Sequence, residues 1–148
     1  MTTTDQTRRD IGGAVVVKAA DVHAEVRYEA TMPHAFGIGT HVGSQKLNVH
    51  LAYLEPGQAT RAHYHLHSDA SSYVLEGEAT LITYDENYDK TVQHLGAGDF
   101  TYVPRGVIHK YINESATTRF AQIGIYNDGI YDEDGMPLGK FYVEPPLT

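Results

Sequence analysis

The chain has 148 residues, of which 41% are hydrophobic and 20% are charged, and its formal net charge is −8. This length predicts one domain with a core of its own. The negative charge excludes nucleic acid as the main partner, because a phosphate backbone attracts a basic face. The sequence has no cysteine, so any metal must be bound by histidine and carboxylate side chains.

The sequence also argues against a membrane protein. No apolar stretch approaches the ~20 residues of a membrane-spanning helix. The N-terminal residues are polar and lack the apolar centre of a signal peptide. We therefore expect a soluble cytoplasmic protein.

The first third of the chain carries weak secondary-structure signals. Residues 1–13 are polar and predict a flexible N-terminal arm, which leaves residues 14–148 as the domain. Residues 14–18 are a short β-branched run, which favours a strand. Residues 19–44 predict one short helix or loop and one strand.

From residue 46 onwards, the pattern is that of short strands separated by turns. Residues 47–54 alternate with a period of two, as a strand does. Further strands are predicted over residues 60–65, 72–76, 78–84, 92–95, 100–103, 109–113 and 118–126. The tail from residue 127 is predicted to be a loop. About eight to ten short strands, without a convincing helical period, indicate an all-β sandwich or barrel.

Residues 98–113 carry more information about function than any other segment. They read GDFTYVPRGVIHKYIN, in which an apolar strand is followed by a Pro-x-Gly corner and a second strand with His109. Gly106 lets the chain bend sharply, and Pro104 fixes φ in the corner. The corner therefore places His109 on a strand that returns along the barrel.

A second histidine pattern precedes this segment. His63 and His65 are separated by one residue, so in a strand both point to the same face, ~6.5 Å apart. Both rings can reach one ion at a nitrogen-to-metal distance of ~2.0–2.1 Å, and His109 can complete the site from a facing strand. Three converging imidazoles are typical ligands of a transition metal.

Two features of the predicted metal site have alternatives: the pair of histidines on the strand and the fourth ligand. A register shift would make the pair His65 and His67, since His63 and His67 lie ~13 Å apart in an unbroken strand. Asp69 is a candidate fourth ligand that must lean in from a bend, or it is a carboxylate that stabilises this bend. Without it, positions stay open for water, dioxygen or a chelating substrate.

The other histidines are assigned by their positions. His50 alternates with apolar neighbours, and it is a candidate catalytic residue that faces the pocket as a proton donor or supports the site. The remaining four lie in or near predicted turns and are expected to be solvated: His23, His34, His41 and His94.

The two segments resemble the motifs of the cupin superfamily. The second motif is Gly, Pro-x-Gly, His and Asn at fixed spacing, and all five fixed positions match: Gly98, Pro104, Gly106, His109 and Asn113. Four positions of the first motif match: Gly57, His63, His65 and Gly77. The glutamate of the first motif is missing, because Ala70 stands at its position beside Asp69. The resemblance covers residues 46–126.

The resemblance implies a fold, a cofactor and partners. The expected fold is an all-β double-stranded β-helix, the jelly-roll barrel of cupins. One divalent transition metal is expected, which is Fe, Mn, Ni, Cu or Zn. The resemblance also implies a small-molecule substrate and a homodimer, in which residues 14–18 pair with the partner.

For function, the resemblance implies a metal-dependent enzyme that acts on a small oxygenated substrate. A dioxygenase is favoured, since a neutral three-histidine site suits a dianionic chelating substrate. The alternatives are an isomerase, cyclase or lyase that uses the metal as a Lewis acid, and a non-catalytic protein that binds a metal or a small molecule. A metal-free isomerase of phosphorylated substrates is weaker, because only Arg61 and Arg105 are near enough to bind phosphate.

Overall fold

The structure is a computed structural model that describes residues 13–44 and 46–146. The regular secondary structure of these residues consists of strands and of two single 3-10 turns at Ala19–Asp21 and Thr40–Val42. No helix among them is long and apolar enough to cross a membrane. The strands are β1 (His34–Ile38), β2 (Leu47–Leu54), β3 (His63–His65), β4 (Ala70–Glu76), β5 (Glu78–Tyr84), β6 (Lys90–Gly96), β7 (Phe100–Val103), β8 (Ile108–Ile112), β9 (Phe120–Asn127) and β10 (Lys140–Tyr142).

The strands form two five-stranded sheets. The first sheet has the order β1-β2-β9-β4-β7, and the second has the order β10-β3-β8-β5-β6. The pairs within each sheet are antiparallel. Two such sheets that face each other across one interior form the double-stranded β-helix expected from the sequence.

Alternation along the strands decides which side chains reach the interior. In β2, Ala52 and Leu54 are fully buried, while Leu51 and Tyr53, which alternate with them, point to the outer face. The same strand continues with His50, which is also buried. One strand therefore contributes apolar side chains to one end of the interior and polar side chains to the other.

The Pro-x-Gly corner links the strands that carry the histidines. It joins β7 to β8, and Gly106 has φ +83°, a conformation that favours glycine. The backbone N–H of Gly106 donates to the carbonyl of His65 at 2.8 Å. The corner is thereby attached to β3 just before β8 delivers His109.

The two ends of the chain differ from the sequence-based expectations. Residues 14–18 have no strand pairing within the described residues, and Val15 and Val16 are 51% and 73% exposed. The predicted arm over residues 1–13 lies outside the described residues, except for Gly13. The tail contains a strand, because residues 140–142 pair with β3. Three residues are too short a segment to give a periodic signal.

Candidate metal centre

Three histidine rings meet inside the barrel, between the two sheets. His63 and His65 point inward from β3, and the backbone of His63 pairs with that of His109 on β8. The three residues are 6%, 7% and 2% exposed. One ligand nitrogen from each ring lies within 4.8 Å of the others. The structure thus brings together the three histidines that both motifs single out.

Hydrogen bonds orient two of these rings. His63 Nδ1 lies 2.7 Å from the carbonyl oxygen of Arg61, and His109 Nδ1 lies 2.9 Å from that of Val107. A carbonyl oxygen only accepts, so Nδ1 carries the proton in both rings. Nε2 is then the nitrogen with a free lone pair, and it is available as a metal ligand.

The third ring has a different partner. His65 Nδ1 lies 3.5 Å from the Tyr28 hydroxyl, which itself donates to the Tyr126 hydroxyl at 3.3 Å. Tyr28 comes from the segment before β1 and was not recognised in the sequence. No motif marks this tyrosine, since its contact with His65 exists only in the folded barrel.

Burial keeps the three imidazoles neutral. Desolvation lowers the pKa of His63 to about 4, that of His65 to about 2 and that of His109 to about 3. The neighbouring histidines lower the pKa of His65 and His109 further, because two positive charges would face each other. Neutral imidazole is the form that binds a metal, so at pH 7 the cluster is ready to accept one.

The other two ligand candidates lie elsewhere. The Asp69 carboxylate accepts the backbone N–H of Arg105 at 3.0 Å and contacts its guanidinium, so it stabilises the Pro-x-Gly corner. His67 packs beside Gly139 and is not part of the cluster. The structure therefore places Asp69 and His67 outside the cluster of three rings, and the pair on β3 that belongs to the cluster is His63 and His65. Ala70, at the motif glutamate position, lines the cavity.

The rings open into a cavity of about 30 Å³. A water molecule needs roughly 10–15 Å³ of such space, so the cavity is small. Five histidines line it: His34, His50, His63, His65 and His109. The wall contributed by β9 includes Gln122, Gly124 and Tyr126.

His50, the predicted catalytic residue, lines this cavity from β2. Its Nδ1 lies 2.9 Å from Asn48 Oδ1. Its Nε2 lies so close to Gly124 that any Cβ there would collide with the ring, which explains the glycine in the middle of β9. The catalytic role of His50 stays a prediction.

His34 corrects an expectation. The sequence places it near a turn and predicts that it is solvated, but it begins β1, is 4% exposed and lines the cavity. His23, His41 and His94 are exposed, as expected. No local pattern in the sequence marks His34, because only the pairing of β1 with β2 brings it to the interior.

One ion pair supplies the charged side chains of the cavity wall. Lys140 and Glu29 lie 3.2 Å apart, with side chains 9% and 5% exposed. The two arginines that could bind phosphate pair with carboxylates outside the cavity, Arg61 with Glu144 and Arg105 with Asp69. The cavity therefore lacks the basic lining that a phosphorylated substrate needs.

Comparison with solved structures supports the fold. The polyketide cyclase RemF from Streptomyces resistomycificus matches with a TM-score of 0.65 at 22% identity, over 83% of this chain and 90% of that one. Oxalate decarboxylase from Bacillus subtilis matches with a TM-score of 0.66 at 19% identity, over 88% of this chain. This chain spans only 33% of the decarboxylase.

A third match is an uncharacterized conserved protein with a double-stranded β-helix domain from Klebsiella pneumoniae. It has a TM-score of 0.56 at 21% identity, over 68% of this chain and 79% of that one. No curated protein sequence matches the chain. A family model described as the cupin domain matches residues 50–123, which is half of the chain. The chain belongs to the cupin family.

Proposed function

We propose that this cupin is a mononuclear metal enzyme that acts on a small oxygenated organic substrate. The observation that carries the proposal is the cluster of three buried, neutral imidazoles with ligand nitrogens within 4.8 Å of one another. His63, His65 and His109 would bind one divalent transition metal, which is Fe, Mn, Ni, Cu or Zn. No other group of three potential ligands is found among the described residues.

The charge of such a site favours an anionic substrate. Three neutral ligands leave the two positive charges of the metal uncompensated, and Ala70 supplies no carboxylate. Lys140 and Glu29 compensate each other. Because buried charge is costly unless it is balanced, a substrate that chelates through two anionic oxygens fits best.

Among the reactions of such a substrate, we favour dioxygenation. A redox-active metal bound here supplies electron exchange between a chelated substrate and dioxygen. The chain orients two of the ligand rings through backbone carbonyls, buries all three rings and supplies no carboxylate at Ala70. These are the contributions that oxygen chemistry requires of the protein.

Metal content and oxygen uptake test this proposal. The purified protein is expected to hold one metal ion per chain and to lose it in His109→Ala. Oxygen uptake is then measured with a panel of catechols, diketones and small hydroxy acids. A chain without metal, or a variant that keeps the metal, would contradict the metal site.

The second candidate is Lewis-acid chemistry: isomerisation, cyclisation or a lyase reaction. The similarity to a polyketide cyclase over 90% of that protein favours it. Conversion of a substrate without oxygen uptake would identify this class. Tight binding of metal and ligand without conversion would instead identify a non-catalytic binding protein.

We also propose that the protein is a homodimer. The outer face of the first sheet exposes an uncharged patch made of Tyr73, Leu75, Phe100, Tyr102 and Ile125. Two copies can meet through it without like-charge repulsion, although each chain carries a net charge of −8. Sedimentation equilibrium is expected to give a dimer, and a monomer for Phe100→Asp. A wild-type monomer would contradict the proposal.

A further inference from the structure

A second pocket lies on the outside of the barrel, behind the strands that carry the three clustered histidines. His109 points into the interior, so Lys110, the next residue of β8, points to the outer face of the second sheet. This is not the face proposed for dimer contact. The pocket has a volume of about 310 Å³, which is within the range of small-molecule sites. We call it the outer pocket, and its lining includes Arg61, Ile82, Tyr84, Lys90, Lys110 and Glu144.

Strand pairing brings two lysines to the outer pocket. Lys90 on β6 is opposite Tyr84 on β5, and Lys110 on β8 is opposite Ile82 on the same strand. Residues that are opposite each other in adjacent strands project to the same face of the sheet. Lys90 and Lys110 therefore approach the pocket from the two sides of β5. The buried Ile82 and the half-buried Tyr84 lie between them.

The third cation of the pocket, Arg61, is oriented by two contacts. Its guanidinium carbon lies 4.0 Å from the centre of the Tyr142 ring, and its Nη2 donates to the Glu144 carboxylate at 3.5 Å. The backbone N–H of Val143 donates to the carbonyl of Ala62 at 2.9 Å, which attaches the tail beside the arginine. A side chain that is already oriented loses less conformational entropy when it binds a ligand.

The charges in the outer pocket do not cancel. Arg61, Lys90 and Lys110 are positive, and Glu144 is the one carboxylate among the lining residues, which leaves a net of two positive charges. Neither lysine has an ion-pair partner within residues 13–44 and 46–146. The pocket is therefore positive on a chain whose net charge is −8. A ligand with two negative charges would balance it.

A phosphate monoester with a small organic group matches both the charge and the lining of this pocket. Its phosphate carries a charge of about −1.5 to −2 at pH 7. The planar fork of Arg61 can bind two phosphate oxygens at once, while lysines bind phosphate as point charges. Ile82 and Tyr84 offer apolar surface to the organic group. A recess of this volume admits a small molecule and not a folded partner.

We propose that the outer pocket binds a small phosphorylated molecule, whose phosphate group is held by Arg61, Lys90 and Lys110. The Glu144 carboxylate is paired with Arg61 and competes with the phosphate for the guanidinium. Removal of a lysine therefore weakens binding, whereas removal of this carboxylate strengthens it. The site is separate from the proposed metal centre and adds a second binding activity to the chain.

Calorimetry with phenyl phosphate, a phosphate monoester with one apolar ring, tests the proposal. The probe is titrated into the full chain at pH 7.5, and KCl keeps the ionic strength constant so that general screening does not change. The wild type is expected to bind one molecule per chain. Lys90→Gln and Lys110→Gln are each expected to bind it ~10-fold more weakly, because a charge-assisted hydrogen bond is lost. Glu144→Gln is expected to bind it ~3-fold more tightly, as an exposed ion pair no longer competes.

Three controls isolate the outer pocket. Lys46→Gln removes the same charge from an exposed lysine that pairs with Asp128, and it is expected to bind as the wild type does. Inorganic phosphate lacks the apolar ring and is expected to bind more weakly than phenyl phosphate. Vesicles of phosphatidic acid present the same phosphate group on a membrane. They are expected not to sediment the protein, because an anionic surface repels a chain with a net charge of −8.

Several results would overturn the inference and leave the proposed metal centre intact. They are a wild type that binds no phenyl phosphate, unchanged binding in Lys90→Gln and Lys110→Gln, and an equal loss in Lys46→Gln. Binding that is lost in His109→Ala but kept in Lys90→Gln would place the phosphate at the metal centre and also overturn it. Sedimentation with the vesicles, without binding of phenyl phosphate, would overturn the small-molecule ligand.

Discussion

The two ends of the barrel interior are built from the same strands but have opposite chemistry. At one end, β2 and β9 contribute Leu54 and Phe120, which are fully buried in an apolar cluster. At the other end, the same strands contribute His50 and Tyr126 to the cavity. The position of a residue along a strand therefore decides whether it serves stability or chemistry.

Buried polar groups at the polar end lower the free energy of unfolding, and the apolar packing at the other end must offset this loss. Two buried polar atoms, Asn48 Nδ2 and Gln122 Oε1, have no hydrogen-bond partner among the described residues. Each such atom costs about 1–3 kcal/mol. Several neutral histidines add a dependence on pH, because the unfolded chain takes up protons more readily than the buried rings do. Stability should thus respond differently to changes at the two ends.

The largest effect is expected from acid on the metal-free protein. Folded-state pKa values of about 4, 2 and 3 for His63, His65 and His109 lie below the ordinary 6.5. Below pH 6.5 the unfolded chain binds protons that the folded rings do not. The free energy of unfolding therefore decreases as the pH is lowered below 6.5. The decrease is about 1.4 kcal/mol per pH unit for each ring, until the pH reaches the folded-state pKa of that ring.

Urea denaturation between pH 7.5 and 4.5, in the presence of a chelator, measures this dependence. His109→Asn removes one of the three rings and is expected to reduce the slope, because one fewer group takes up a proton on unfolding. A free energy of unfolding that stays constant from pH 6.5 to 4.5 would show that the histidines are not buried as neutral groups.

The next largest effect is expected at the apolar end. Phe120→Ala removes a fully buried ring between the sheets and is expected to lower the free energy of unfolding by about 3–5 kcal/mol. The affinity for Zn²⁺ of the folded fraction should stay within a factor of two or so, since the ring lies outside the cavity lining. Urea denaturation and zinc titration measure the two quantities. A large loss of affinity would show that the two ends are coupled.

The sequence predicted the parts of this comparison that are local. Alternation over residues 47–54 and the Pro-x-Gly corner sufficed to predict β2, β7 and β8, and the resemblance to cupins implied the jelly roll. The three clustered histidines were predicted because two of them share a strand and the third follows the corner. Strand spacing and a recurrent motif are local properties, so they can be recognised without knowledge of the tertiary contacts.

The remaining wall of the cavity could not be predicted. His34, Tyr28 and Lys140 come from segments before β2 and after β9, where the sequence has no periodic pattern. They reach the cavity only because β1 pairs with β2 and β10 pairs with β3. Sheet order and edge pairing are set by long-range contacts, and a three-residue strand leaves no local signal.

The smallest effect is expected at Tyr28, and it distinguishes positioning of a ligand from binding. His63 and His109 are held by backbone carbonyls, which no side-chain substitution removes. His65 depends on the Tyr28 hydroxyl. Tyr28→Phe leaves the ring in place and is expected to weaken Zn²⁺ binding ~10-fold, because His65 loses the group that fixes its orientation. Competition with a chromophoric chelator measures the affinity.

Tyr111→Phe is the matched control for this prediction. Its hydroxyl is buried beside the side chains of Ser72, Thr101 and Gln122, while its ring packs against His109 edge-on at 6.1 Å. Removal of this hydroxyl should lower stability by about 1 kcal/mol and leave zinc affinity unchanged, because no ligand nitrogen loses a partner. Equal zinc affinities in Tyr28→Phe and the wild type would mean that packing alone orients His65. The Tyr28 hydroxyl would then serve the tyrosine pair with Tyr126 and not the metal site.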